Sequence, residues 1–215
     1  MPNPITQRHD ATARRILDAA GPVFAERGFP QTTVRDICRR ARVNVAAVNY
    51  YFGDKRRLYA EALRHGMRSS LQRFPPDRGL GQNPSPEERL YAFVHSFLSR
   101  FLAVGQPAWH GKLCAREMTE PTGALDALVD DIVRPMFERL QQIVRELAGR
   151  RVTQDRVQFC ALSIVGQCMH YYYGRSVVQR LLPAQPIDAR SIERIARHIT
   201  EFSLGALRSM RAKKE

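Results

Sequence analysis

The sequence is poor in the features of membrane, secreted and metal-binding proteins. No stretch of its 215 residues approaches the roughly 18 consecutive apolar residues that a membrane-spanning helix needs. The N-terminus, Met1-Pro2-Asn3-Pro4, lacks the apolar core of a secretory signal. The cysteines Cys38, Cys114, Cys160 and Cys168 include no Cys-x-x-Cys pair, which argues against a redox motif or a zinc knuckle. We therefore expect a cytoplasmic protein with reduced thiols, no metal and no membrane partner.

Sequence signatures of catalysis are also missing. The chain contains no His-Glu-x-x-His, no paired Glu-x-x-His, no glycine-rich phosphate loop and no Gly-x-Ser-x-Gly. His95, His110 and His170 are scattered along predicted helices, where histidine is usually a core or surface residue. We therefore expect neither an enzyme nor a cofactor.

Acidic residues are scarce relative to basic ones, and the imbalance is strongest near the N-terminus. The chain carries 34 Lys and Arg against 21 Asp and Glu, a formal net charge of +13. Residues 1–75 alone contain 14 basic and 6 acidic residues. A basic segment of this kind favours a polyanionic partner. Nucleic acid is favoured over a membrane, because no later segment reads as a Lys-rich amphipathic surface helix.

The spacing of apolar residues predicts an all-α fold. An apolar stripe runs from Ile16 to Phe24 at helical spacing and stops at Gly28, after which Phe29 can fold back on Phe24. The Thr33 hydroxyl can then cap a short second helix by accepting a backbone N–H. Further helices are predicted at about 45–51, 54–74, 86–101, 107–119, 124–148, 154–179 and 188–210.

Proline and glycine divide these helices into domains. Residues 75–86 are rich in both and indicate a linker. We expect a flexible N-terminal arm over 1–9, a small basic domain with a connecting helix over 10–74, the linker over 75–86 and a larger helical domain over 87–215. Pro22 and Pro135 should each kink the helix that contains it.

A tight turn over residues 42–44 joins the second and third helices with the spacing of a helix-turn-helix, whose last helix places side chains in the major groove of DNA. The stretches 16–20, 24–29, 32–37 and 52–58 (ILDAA, FAERGF, TTVRDI and FGDKRRL) resemble the tetracycline-repressor (TetR) family of bacterial regulators. The stretch VNVAAVNYYF and the later motifs REM and PT resemble the branch of that family named for cephalosporin and chloramphenicol responses. The resemblance implies a DNA-binding regulator with a second, helical domain.

Four positions depart from the pattern of the family. Arg42 and Asn44 stand where glycine and serine are common, and Asn49 and Tyr51 replace the customary tyrosine and histidine of the third helix. If residue 42 is left-handed, its side chain costs roughly 1–2 kcal/mol. The two changes in the third helix bear on the operator sequence rather than on DNA binding itself.

Chemistry assigns roles to the side chains around the turn. Thr33 at a helix N-terminus and Tyr51 can hydrogen-bond to phosphates, and Lys55 supplies a point charge. Arg35 can read guanine through O6 and N7, or be a solvated surface charge, and Asn49 can pair with adenine. Val48 and Phe52 are expected in the core. The predicted contact set is Thr33, Arg35, Val45, Ala46, Ala47, Asn49, Tyr50, Tyr51 and Lys55, in which an alanine can touch a thymine methyl and Tyr50 either touches DNA or packs within the domain.

The resemblance implies that the larger domain binds a small molecule and forms a dimer. The last two long helices supply apolar faces for a four-helix interface between two chains, which reading a palindrome requires. Aromatic and polar side chains at helical spacing can line a site for a hydrophobic effector, although such stripes are also typical of plain core. The candidates are Phe97, Phe101, Trp109, His110, Leu113, Glu117, Gln167, His170 and Tyr171. Glu117 in such a site would favour a cationic ligand.

These features predict a ligand-responsive transcriptional regulator. The resemblance implies a repressor that binds a palindromic operator as a homodimer and leaves it when a small molecule binds, although activation is also compatible with the sequence. The ligand would shift the population toward a packing in which the helix after Pro107 moves against the fourth helix. The alternative is a DNA-binding dimer with no small-molecule ligand, regulated by a partner protein.

Overall fold

The computed structural model describes residues 4–103, 109–149, 151–184 and 188–212, with side chains between residues 11 and 210 of these ranges. The described residues form eleven α-helices and one π-helical turn and contain no β-strand, so the prediction of an all-α fold is confirmed. None of the described helices is long and apolar enough to cross a membrane. All four cysteines are free thiols. The chain divides into two compact units.

The first unit begins with α1 (Pro4–Gln31), which is interrupted at Gly28. Gly28 has φ 78° and ψ 167°, a conformation that favours glycine because it has no Cβ. Phe29 then stacks on Phe24 with ring centroids 6.2 Å apart, so the predicted end of the apolar stripe is confirmed. Residues 4–9, expected to be a flexible arm, belong to α1, because no helix breaker separates them from the stripe.

The helix-turn-helix consists of α2 (Val34–Ala41) and α3 (Val45–Phe52), and α4 (Lys55–Arg73) follows it. The Thr33 hydroxyl caps α2 by accepting the Asp36 N–H at 3.2 Å, as predicted. The Asn44 side chain caps α3 by accepting the Ala47 N–H at 2.8 Å. Between the two helices Arg42 is left-handed, with φ 53° and ψ 50°.

Helices distant in sequence complete the first unit. Beyond α5 (Pro86–Leu102), which belongs to the second unit, α6 (Trp109–Thr119) and α7 (Ala124–Leu128) group with the N-terminal helices. The sequence had assigned this segment to the larger domain. Its placement rests on fit, because the ring of Trp109 fills the space beside Gly21 and Gly66, where a side chain would collide with it.

Two helices predicted as continuous are interrupted. The helix expected over 124–148 consists of α7, a π-helical turn (Val129–Val133) and α8 (Arg134–Ala148). Pro135 has no N–H to continue an α-helical ladder, and the wider turn lies directly before it. The helix expected over 154–179 breaks at Gly174 into α9 (Gln154–Tyr173) and α10 (Arg175–Leu181), and α11 spans Ala189–Ala212.

The second unit contains α5, α8, α9, α10, α11 and the end of α4. Ser85 and Glu88 begin α5 with a capping box, in which each backbone N–H donates to the side chain of the other residue. The helices α5, α8, α9 and α11 share one apolar core, whose residues with 0% or 1% exposure are Leu90, Val94, Leu98, Leu140, Val144, Ala148, Val157, Ala161, Ala196, Ile199 and Leu207. The core of the second unit is therefore formed by four helices packed together.

Candidate DNA-binding site

The two faces of α3 differ in chemistry. Val48 and Phe52 are 0% and 8% exposed and form the inner face, as predicted. On the outer face Tyr50 is 74% exposed, and Ala46 and Asn49 are exposed as well. The exposure of Tyr50 excludes the alternative in which its ring packs within the domain. The outer face offers a methyl group, an amide and a phenol, which are groups that contact thymine methyls and base edges.

The first turn of α2 carries an exposed Arg35 and the carboxylate of Asp36. The hydroxyl and N–H of Thr33 both donate to the Asp36 carboxylate, at 2.7 and 3.3 Å. Asp36 also pairs with Arg27 at 3.1 Å and with Arg39 at 3.3 Å. These hydrogen bonds, before the two arginines, hold the pKa of Asp36 below its ordinary value. The hydroxyl and N–H of Thr33, which were predicted to bind a phosphate, therefore already donate hydrogen bonds to the Asp36 carboxylate.

Lys55 lies at the start of α4, the position expected for a phosphate contact. Its Nζ donates to the Pro30 carbonyl at 3.3 Å and lies 4.5 Å from the centre of the Phe29 ring. Its ammonium is therefore fixed beside the segment that joins α1 to α2. A fixed cation at this place can attract a phosphate without reading a base.

Exposed cations surround the helix-turn-helix. A groove of about 510 Å³ lies between the end of α3 and α4, with Asn49, Tyr50, Tyr51 and Arg57 in its wall. The exposed arginines on α2, on the turn and on the first turn of α4 are Arg35, Arg39, Arg40, Arg42, Arg56 and Arg57. Such a group of like charges raises the local potential and favours a polyanion.

Four of the predicted effector-site residues lie in the first unit. Leu113 and Glu117 are both 0% exposed. His110 is buried with its Nε2 3.3 Å from the Ser70 hydroxyl, and Trp109 packs on the glycines of α1 and α4. Through His110 and Trp109, α6 therefore packs against α1 and α4 of the same unit.

The other five predicted effector-site residues lie in the second unit. Phe97 and Phe101 of α5 have ring centroids 5.2 Å apart, and Phe101 is also 5.2 Å from Tyr172. Gln167 and Tyr171 are half-buried on α9, and His170 is exposed. The structure thus brings the two phenylalanines together with an aromatic residue of α9 that the sequence analysis did not select.

Sequence reasoning also missed Tyr59, a residue of α4. Tyr59 is 3% exposed, and its hydroxyl donates to the Glu117 carboxylate at 2.8 Å. The sequence feature that could have identified Tyr59 is its position beside Leu58 on the apolar face of a predicted helix. A tyrosine buried there needs an acceptor for its hydroxyl.

The outer surfaces of α9 and α11 carry large apolar side chains. Phe159, Leu162 and Phe202 are 67%, 55% and 64% exposed. Gly166 and Gly205 on the same helices face open space. Other apolar residues of the two helices are not available for an interface, because Ile164, Ile199 and Leu207 are only 1% or 2% exposed and belong to the core of the unit.

A short helix-turn-helix with an exposed last helix, in a chain that also contains a larger helical unit, is typical of DNA-binding transcriptional regulators. Residues 16–62 match the profile of the bacterial regulatory proteins of the TetR family, and residues 86–207 match the profile of the C-terminal domain of the HTH-type transcriptional dual regulator CecR. The chain belongs to the TetR family, with a C-terminal domain of the CecR type. This family is one of regulators and not of enzymes.

Two curated relatives span nearly the whole chain. The dual regulator CecR of Shigella flexneri is 22% identical over 209 residues, which cover 93% of each chain. The transcriptional repressor NicS of Pseudomonas putida is 26% identical over 211 residues, which cover 94% of this chain and 95% of NicS.

Solved structures support the same fold. The regulator AibR, solved with isovaleryl coenzyme A and operator DNA, is 18% identical with a TM-score of 0.65, covering 89% of this chain and 97% of AibR. The fatty acid degradation regulator FadR of Bacillus halodurans is 16% identical with a TM-score of 0.68, covering 97% and 98%. A regulator from Saccharomonospora viridis, solved with choline, is 18% identical with a TM-score of 0.64, covering 90% and 95%.

Proposed function

We propose that the protein is a repressor that binds a palindromic operator as a homodimer and is released from it by a small hydrophobic molecule. The observation that carries this proposal is the exposed outer face of α3 between clustered arginines, described above. TetR-family membership supports DNA binding, and the remaining points are argued from individual residues.

Base readout is assigned to α2 and α3. Arg35 is exposed on the first turn of α2, from which a guanidinium can reach guanine O6 and N7. Asn49 is exposed on α3 and suits adenine, and Ala46 suits a thymine methyl. Lys55 and Tyr51 are assigned to phosphates. For Thr33 to bind a phosphate, the Asp36 carboxylate must first give up its hydrogen bonds.

Dimerisation is assigned to the outer face of α9 and α11. A monomer rarely exposes several large apolar side chains on adjoining helices without covering them in an assembly. Phe159, Leu162 and Phe202 supply the apolar area, and the bare surface at Gly166 and Gly205 permits a second chain to approach closely. Two recognition helices on one palindrome must lie about 34–36 Å apart, so a fixed dimer is needed for the reading we propose.

Release by a small molecule is assigned to a population shift. The aromatic contacts of Phe97, Phe101 and Tyr172 offer apolar surface within the second unit. The AibR and S. viridis structures were solved with isovaleryl coenzyme A and with choline, respectively. The ligand must bind the DNA-free packing more tightly than the DNA-bound one, typically by about 1–3 kcal/mol.

Selection of bound duplexes from a random DNA pool tests the proposal. The expected result is a palindrome with half-sites one helical turn apart, bound by a particle with the mass of two chains in sedimentation. A recovered motif without symmetry, or a monomer on DNA, would contradict it.

A thermal-shift screen with hydrophobic acids, amines and acyl thioesters tests release by a small molecule. The expected hit both stabilises the protein and lowers its affinity for the operator. If no compound in the screen stabilises the protein and operator binding is intact, the result would favour the alternative of a dimer regulated by a partner protein.

A further inference from the structure

The segment that joins α1 to α2 is an elbow, residues 28–32. Gly28 breaks α1, and the Thr32 hydroxyl donates to the Gly28 carbonyl at 2.7 Å. Thr33 directly follows the elbow and caps α2. The conformation of this elbow therefore sets the direction in which the helix-turn-helix leaves α1.

The backbone before the elbow is held by a side chain from α6. Arg116 Nε donates to the Ala25 carbonyl and Arg116 Nη2 to the Glu26 carbonyl, both at 3.3 Å. In a continuous helix the Glu26 carbonyl would accept from residue 30, but Pro30 has no N–H to donate. Arg116 thus supplies a donor that the sequence of α1 cannot provide.

The aromatic side of the elbow is held by the next residue of α6. The Tyr59 ring lies 5.0 Å from the ring of Phe24 and 5.1 Å from that of Phe29. The Tyr59 hydroxyl donates to Glu117 Oε2 at 2.8 Å, and burial followed by the hydrogen bond to Glu117 raises the pKa of this phenol well above its ordinary value. Tyr59 is therefore the donor and Glu117 the acceptor in this hydrogen bond.

The second oxygen of the Glu117 carboxylate is also engaged. Glu117 Oε1 accepts from the N–H and the hydroxyl of Thr122, at 2.7 and 2.8 Å. The side chain is 0% exposed, so both oxygens face protein donors. Its negative charge is directed at Tyr59 and Thr122 rather than at a cationic ligand.

We propose that Arg116 and Glu117 are positioning residues for operator recognition. These adjacent residues of α6 hold the two sides of the elbow, one through the backbone of α1 and the other through the aromatic ring of Tyr59. They act on the reading helices through the elbow and need not touch DNA. The inference rests on the proposed function, because it assumes that the wild-type protein prefers one duplex.

The first test compares Arg116→Met with Lys112→Met, since Lys112 is another exposed cation of α6 and both variants lose one positive charge. Each variant is titrated with the duplex recovered by selection and with a scrambled duplex of the same composition. Lys112→Met should leave the ratio of the two affinities unchanged. Arg116→Met should lower that ratio by about fivefold or more, the lower end of typical coupling between sites.

The second test removes single atoms from the buried link. Tyr59→Phe keeps the ring packing and deletes only the hydroxyl, and it should lower the same ratio. Glu117→Gln leaves one acceptor oxygen where the carboxylate offers two, one to Tyr59 and one to Thr122, so it should lower the ratio as well. Trp109 is the only tryptophan of the chain and lies between Gly21 and Gly66, so unchanged emission shows that α6 is still seated.

The outcomes separate the two claims. If the wild-type protein prefers no duplex, the proposed function itself fails. If the wild-type preference survives Arg116→Met and Tyr59→Phe with native Trp109 emission, the inference alone fails. Equal losses on both duplexes for Arg116→Met and Lys112→Met would also overturn it, since they indicate a general electrostatic effect. If Arg116→Met loses the native emission, Tyr59→Phe decides, because it removes one oxygen only.

Discussion

The protein exposes two surfaces that differ in chemistry, the outer face of α3 and the outer face of α9 and α11. The face of α3 presents Ala46, Asn49 and Tyr50, with arginines around it. The face of α9 and α11 presents large apolar side chains such as Phe159 and Phe202. Small and polar groups beside cations suit the edges of bases and the phosphates near them, whereas exposed phenylalanines suit another protein surface. For these two faces we propose different partners, DNA for the first and a second copy of the chain for the second.

The largest expected effect is that of Phe159→Glu. A carboxylate at the centre of an apolar interface should weaken dimerisation by at least about 2 kcal/mol, the level of an interface hot spot. Operator binding should fall with it while the fold of each chain is retained. Sedimentation velocity measures the dimer, and Val133→Glu is the control, because it adds the same charge to an exposed apolar residue of the first unit. If Phe159→Glu and Val133→Glu weaken the dimer equally, the outer face of α9 and α11 is not the specific dimer interface.

Arg35→Ala should leave the dimer intact and weaken operator binding by about 1–3 kcal/mol, with relaxed preference at one base pair. Lys55→Ala should instead weaken all duplexes alike and reduce the slope of affinity against salt by about one unit. Titrations at several salt concentrations on the operator and on single-base variants measure both effects. If the two variants behave identically, Arg35 is an electrostatic contact and not a reader.

Asp36→Asn should have opposite effects on folding and on DNA binding. The folded pKa of Asp36 lies below its ordinary value of 3.8, so its contribution to stability is present above that pH and is lost as the pH falls through the folded pKa. The variant should therefore be less stable than the wild type at pH 7, and the difference should narrow below about pH 4. Urea unfolding at both pH values measures this. Binding of all duplexes should strengthen, because the variant removes a negative charge beside Thr33, where a phosphate is proposed to bind; weaker binding would contradict that role.

Arg42→Gly should have the smallest effect. Relief of a left-handed side chain, roughly 1–2 kcal/mol, exceeds the entropy cost of glycine, about 0.5–1 kcal/mol, so the variant should be more stable by about 0.5 kcal/mol. Thermal unfolding measures the gain. Base preference should stay unchanged, and an altered preference would show that Arg42 contacts bases.

Local sequence signals predicted the helix-turn-helix well. The cap at Thr33, the break at Gly28 and the burial of Val48 all depend on residues within a few positions of one another, and such rules act before tertiary packing. The same rules could not show that α6 groups with α1 and α4. That placement depends on the fit of Trp109 to Gly21 and Gly66, which lie 88 and 43 positions away in the sequence.

The predicted DNA-contact set and effector set differ in the same way. The DNA-contact residues lie within 23 consecutive positions, from Thr33 to Lys55, so their common surface follows from three short helices. The effector candidates are distributed over both units, and Glu117 has its hydrogen bonds inside the protein. Helical periodicity identifies an inward face but does not distinguish a cavity wall from a buried joint, because both require apolar neighbours.

Methylation protection of guanine N7 on the selected operator tests the central claim most directly, since this atom lies in the major groove. Insertion of α3 by both copies of a dimer predicts two protected blocks, one helical turn apart, at major-groove guanines. Arg35→Ala should abolish protection at one symmetric pair of guanines while the other protected positions remain. Tight binding without any protection of guanine N7 would contradict the account, because it would show that the protein binds operator DNA without α3 in the major groove.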